Sequence, residues 1–113
     1  MAMLLADVGG TNARLALARN GVSDESSITR YRGDDYDSFD IVVKTYLTEQ
    51  DNPRLSAVCV AVAGPVSAGK AELTNRDWDF SEDRLARLTD ADQVRLINDL
   101  TALGYATDRI APD

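Results

Sequence analysis

The sequence predicts an α/β domain built on a mixed five-stranded sheet, with elements in the order β-β-β-α-β-α-β-α. Three observations predict it. Met3 to Val8 and Ala13 to Ala18 are apolar stretches joined across Gly9-Gly10, as two antiparallel strands would be. Phe39, Val42, Val43, Tyr46 and Leu47 recur at helical spacing. Leu55 to Ala63 is a nearly continuous run of small and β-branched residues, the pattern of a strand covered on both faces.

Each element follows from local chemistry. Asn20-Gly21 favours a tight hairpin turn after the second strand. Ser26 to Arg32 is rich in β-branched and aromatic residues and ends at Gly33, so it reads as a third strand that completes a meander. Asp37 or Ser38 caps the first helix and Pro53 stops it. The strand from Leu55 is expected at the centre of the sheet. Gly64-Pro65 breaks it, and Val66 to Thr74, divided by Gly69, reads as a short hairpin. Ser81 caps a helix carrying Leu85 and Leu88, Gln93 to Ile97 reads as the last strand, and Asp99 to Ala106 as a third helix.

Residues 1–113 are expected to form a single domain, since 44% hydrophobic residues can build one core. Nineteen acidic against 12 basic residues leave a net charge of -7, which argues against nucleic acid and anionic membranes as partners. The longest apolar run, Ala57 to Ala63, is far short of the roughly 20 residues that span a bilayer, and no cationic and hydrophobic leader opens the chain. The expectation is a soluble protein that stays in the cytoplasm. One cysteine, Cys59, excludes an internal disulfide, and the absence of histidine removes the usual imidazole base and the commonest metal ligand. Chemistry is left to carboxylates, lysines, hydroxyls and backbone amides.

Three places carry candidate chemistry. Asp7, Val8, Gly9, Gly10, Thr11 and Asn12 put an acid at a strand end and two glycines in the turn. Missing Cβ atoms allow positive φ and close approach of main-chain amides to a phosphate. Asp7 suits a hydrated Mg²⁺ beside such phosphates. A hairpin needing glycine only for its geometry is the competing reading.

Gly64 to Ala71 nearly matches the phosphate-loop pattern G-x-x-x-x-G-K-[ST], but Ala71 lacks the hydroxyl, and no amphipathic helix follows Lys70. A turn with a solvated Lys70 is the preferred reading. Asn98-Asp99 ends a hydrophobic strand, where open α/β sheets place their ligands, and an ionised acid there suits proton acceptance. Two helix-capping residues are the alternative. Trp78 and Phe80 are expected as core anchors.

Four ordered blocks, Leu4 to Leu17, Val60 to Pro65, Leu73 to Ser81 and Leu96 to Ala102, together resemble the bacterial ATP-dependent glucokinase family. The resemblance implies a ribonuclease H-like (actin-like ATPase) fold, in which a small and a large domain close over a cleft. It implies ATP and glucose as substrates, Mg²⁺ as cofactor, and glucose 6-phosphate for glycolysis as product. By that likeness the turn from Asp7 to Asn12 holds the ATP phosphates, with Asp7 near the metal through water. Asp99 is the base for the sugar's 6-hydroxyl, Asn98 binds sugar hydroxyls, and Asn75 lies by the sugar.

Leu100 departs from the Phe of many members. The family's second glycine segment, adenosine pocket and further sugar-gripping residues belong to the large domain and are not in these 113 residues. The chain is therefore expected to be the N-terminal small domain, inactive alone, completed by a large domain in cis or self-associating as a homodimer through the uncovered apolar surface. A non-catalytic sugar- or nucleotide-binding module, and a P-loop NTPase fragment, are the alternative functions.

Overall fold

A computed structural model describes residues 2–19, 22–73 and 78–98, with the backbone alone for 23–25. Strand β1 (Ala2–Val8) pairs antiparallel with β2 (Asn12–Arg19), and β2 antiparallel with β3 (Val22–Arg32). A short 3₁₀ turn (Gly33–Asp35) leads to helix α1 (Phe39–Glu49). Strand β4 (Leu55–Val62) lies parallel to β1. After it come the short strands β5 (Val66–Ser67), β6 (Lys70–Glu72) and β7 (Asp79–Ser81), then helix α2 (Glu82–Thr89) and strand β8 (Gln93–Asn98). The main sheet has the order β3-β2-β1-β4-β8, and β5-β6-β7 form a small antiparallel sheet of their own.

The expected sequence of elements is present as far as β8; the expected helix from Asp99 to Ala106 lies outside the described residues, as does the Asn20-Gly21 turn. One placement differs. The central strand is β1, with β4 beside it and β8 at the edge. β1 takes its own hairpin partner on one side and the parallel strand on the other, while β4 still exposes Ser56, Ala57 and Cys59 in part. The apolar run of β4 reflects flanking by two parallel strands more than full cover of both faces.

The core forms on one side of the sheet. Alternate residues Leu4, Val8, Leu15, Val58, Val60, Val62 and Leu96 share one buried cluster with Phe39, Val42, Val43 and Tyr46 of α1 and Leu85 of α2. Strand alternation and helical periodicity thus converge on a single apolar layer. Trp78 and Phe80 are buried as expected and pack against Phe39, with ring centroids 6.2 and 5.0 Å away. Caps match their sequence signals: Ser38 Oγ accepts from Ile41 N–H at 3.3 Å, and Ser81 Oγ from Arg84 N–H at 3.2 Å.

β3 begins earlier than its composition suggests, and a bulge interrupts its pairing with β2 between Leu15 and Leu17. Buried Ser27 repairs the interruption: its Oγ accepts from Leu17 N–H at 2.9 Å, and Tyr46 Oη donates to Ser27 O at 2.8 Å. A buried hydroxyl here stands in for a ladder acceptor.

Candidate functional site

The register of the sheet sets the site. Val8, Val62 and Asn98 stand in one lateral row, so the carboxyl ends of β1, β4 and β8 meet at one edge. With strands about 4.8 Å apart, the ends of β1 and β8 are separated by roughly 10 Å. The glycine turn leaves one of these ends and Asn98 closes the other. Asp99 and Asn75 lie outside the described residues. The segment holding Asn75 is bracketed by buried Leu73 and Trp78, with Leu73 N–H donating to Trp78 O at 3.1 Å.

Asn98 shares its row with buried Val62 and Val8, which places it on the helix-covered face. Its Nδ2 donates to Gly64 O at 2.6 Å, tying the end of β8 to the turn after β4. Asp7, one residue before Val8, is exposed on the opposite face. Asp7 and Asn98 therefore occupy one edge of the sheet but opposite faces of it.

The turn itself is closed by Gly9 N–H donating to Asn12 O at 2.9 Å, and its tip is tied to the 3₁₀ turn by Gly33 N–H donating to Thr11 O at 2.9 Å. An open cleft of about 420 Å³ lies against it, lined by Asp7, Gly9, Gly10, Thr11 and Asn12, and also by Arg14 and Arg30. The expectation of positive φ in this turn is not met. Among the described glycines Gly69 has positive φ, whereas Gly9 and Gly10 do not. A Cβ built on Gly9 would find its nearest neighbour among the described residues, Asn12 O, at 3.8 Å, an ordinary contact. Among the described residues, neither a positive φ nor crowding demands glycine at position 9. Gly9 also lines the cleft.

Arg14 and Arg30 were not among the residues singled out from sequence. Asp7 pairs across β1–β2 with Arg14, and Arg14 across β2–β3 with Arg30, giving an exposed row Asp7, Arg14, Arg30. The first pairing follows from the tight turn alone; the second depends on the bulged register of β3, which composition does not reveal.

The phosphate-loop lookalike resolves into something else. Ser67 pairs with Lys70 around Ala68-Gly69, whose φ values of 53° and 73° make a two-residue hairpin of the kind that matches strand twist. Lys70 is an exposed strand residue with no helix behind it, so the P-loop alternative is overturned. Among the described residues, no group of three or more Cys, Asp or Glu side chains converges as a metal cage. Asp7 lines the cleft, and a carboxylate is a donor that a hydrated cation accepts without a full protein cage. No described helix is long and apolar enough to cross a membrane.

The family model for glucokinase matches residues 4–113. The chain belongs to the glucokinase family. The glucokinase of Caulobacter sp. (strain K31) is 41% identical over 111 residues, covering 96% of this chain and 34% of that protein. The crystal structure of a glucokinase from an Antarctic psychrotroph superposes with a TM-score of 0.82 at 32% identity, over 95% of this chain and 35% of that one. The glucokinase of Balamuthia mandrillaris, solved in complex with glucose, shares the fold with a TM-score of 0.62 at 24% identity, over 88% of this chain and 30% of its own. The chain thus spans about a third of the length of these glucokinase relatives, and its fold is that of their sugar-kinase architecture.

Proposed function

We propose that this chain is the N-terminal small domain of a cytoplasmic kinase that transfers the γ-phosphoryl group of ATP to the 6-hydroxyl of glucose, with the large domain supplied in cis. Family membership supports the reaction class. The single observation that carries the assignment of the cleft is Gly9: it lines an open cleft, and nothing among the described residues requires it to lack a side chain. A ligand that comes within contact distance of the main chain supplies the reason, and a phosphate is the ligand such turns accept.

In this reading Gly9, Gly10, Thr11, Asn12 and the backbone at Val8 cradle the phosphates, and Arg14 brings positive charge beside them. Asp7 would hold Mg²⁺ through water; bound there, the ion neutralises phosphate charge. Asp99 takes the proton from the 6-hydroxyl, Asn98 orients the sugar from an amide anchored on Gly64, and Asn75 contributes from the neighbouring segment. Phosphoryl transfer depends mainly on positioning and charge stabilisation, so the base is one contributor among several.

The test is Asp99→Ala in the whole protein. General-base catalysis is typically worth about 10² to 10⁴ in rate, so kcat should fall by about that factor while ATP still binds. Turnover close to wild type would remove Asp99 from the role. Tight sugar or nucleotide binding by a whole protein that forms no glucose 6-phosphate would favour the non-catalytic module instead.

A further inference from the structure

We propose that Arg30 is a second guanidinium of the phosphate cleft, holding the terminal phosphates of the nucleotide jointly with Arg14; this rests on the kinase reading of that cleft. Arg30 lines the cleft together with Arg14 and the glycine turn, although it comes from a different strand. It stands directly opposite Arg14 in the β2–β3 ladder, a position that puts Cβ atoms about 5 Å apart. Like charges directly opposite on a sheet are destabilising, so the fold gains nothing from this pairing.

Asp7 stands opposite Arg14 on its other side, and among the described residues neither Arg14 nor Arg30 forms an ion pair with a carboxylate. The ion pairs found among the described residues belong to Arg84, which reaches Asp40 at 2.6 Å and Asp79 at 3.1 Å. Asp7 lies on the far side of Arg14, in the strand beyond. An anion with several charges, bound over the row, would convert the repulsion into attraction. The chain as a whole carries a charge of -7, so a polyphosphate meets net repulsion and needs concentrated local cations. Two guanidiniums side by side offer forked donors matched to phosphate oxygens.

The test compares Arg30→Ala, Arg30→Lys and Arg30→Glu in the whole protein by calorimetric titration with ATP, alongside KM for ATP and for glucose. Arg19→Ala, at the far exposed end of β2, makes the same change in net charge away from the cleft. A hydrogen-bonded charge contact at such a site predicts a loss of ATP affinity of roughly tenfold for Arg30→Ala. The loss should be smaller for lysine and larger for glutamate, with the glucose KM unchanged and the melting temperature of the ligand-free protein kept or slightly raised for alanine and glutamate. An ATP dissociation constant within twofold of wild type in Arg30→Ala, or an equal loss in Arg19→Ala, overturns the proposal. Wild-type protein that binds ATP without phosphorylating glucose overturns the kinase reading and leaves Arg30 judged by the binding constant; wild-type protein that does not bind ATP overturns both.

Discussion

Gly9 and Ala68 illustrate opposite uses of the backbone. Gly9 does not have the positive φ that would favour glycine, and among the described residues no atom crowds the place of a Cβ there. Gly→Ala at a compatible position typically stabilises by about 0.4–1 kcal/mol through the unfolded chain. Gly9→Ala is therefore expected to keep or slightly raise the melting temperature while ATP affinity, read by calorimetry, falls at least several-fold. Loss of stability without loss of affinity would return the glycine to a purely structural role. Ala68, by contrast, sits at φ 53° in the β5–β6 hairpin, where an L side chain costs about 1 kcal/mol.

Tyr31 is a third residue-scale case. Burial, followed by its hydrogen bond to Glu49, raises the phenol far above its ordinary pKa of 10.0. The folded chain retains this proton where the unfolded chain gives it up. The contribution is fully present below pH 10 and lost progressively above it. Tyr31→Phe should flatten that alkaline fall in a urea-denaturation series.

Among elements, the edge strand β8 is the one most dependent on a neighbour. Its Leu96 N–H donates to Glu82 Oε2 at 2.8 Å, so the first residue of α2 satisfies an amide that would otherwise face outward from the sheet. Glu82 N–H in turn donates to Gly69 O at 2.9 Å, which couples the small sheet, α2 and β8. Glu82→Ala is expected to cost about 1–3 kcal/mol in chemical denaturation, because it leaves a partly buried donor without its acceptor, and Glu82→Gln should recover much of that.

The elements differ in how legible they are in the sequence. α1, α2 and the β1–β2 hairpin follow from periodicity, caps and turn chemistry, all of which act within a few residues. β7 and the early start of β3 are invisible to such signals, since β7 exists only by pairing with β6, and the bulge in β3 is held by Ser27 against Leu17.

At the scale of the molecule, the chain spans about a third of the length of its glucokinase relatives. On the present reading it carries one wall of a two-walled cleft. Half a cleft neither encloses both substrates nor excludes water. The purified 113-residue chain is expected to form no glucose 6-phosphate in a coupled assay, and a measurable rate would contradict the division of labour proposed between the two domains. Lys70→Ala in the whole protein should leave ATP binding unchanged, because Lys70 lies in the hairpin and not in the glycine cleft.

The sequence by itself determined the order of the main-sheet strands and the two helices between them, the helix caps, the glycine turn with Asp7 and the strand ending at Asn98, because each is written in contacts between near neighbours in the chain. Tertiary structure alone decided that β1 takes the middle of the sheet, that Asp7 and Asn98 lie on opposite faces of one edge, and that Arg30 joins Arg14 at the cleft. Those outcomes depend on strand register. A shift of a single residue in pairing turns every side chain of a strand to the other face, and composition does not encode that choice.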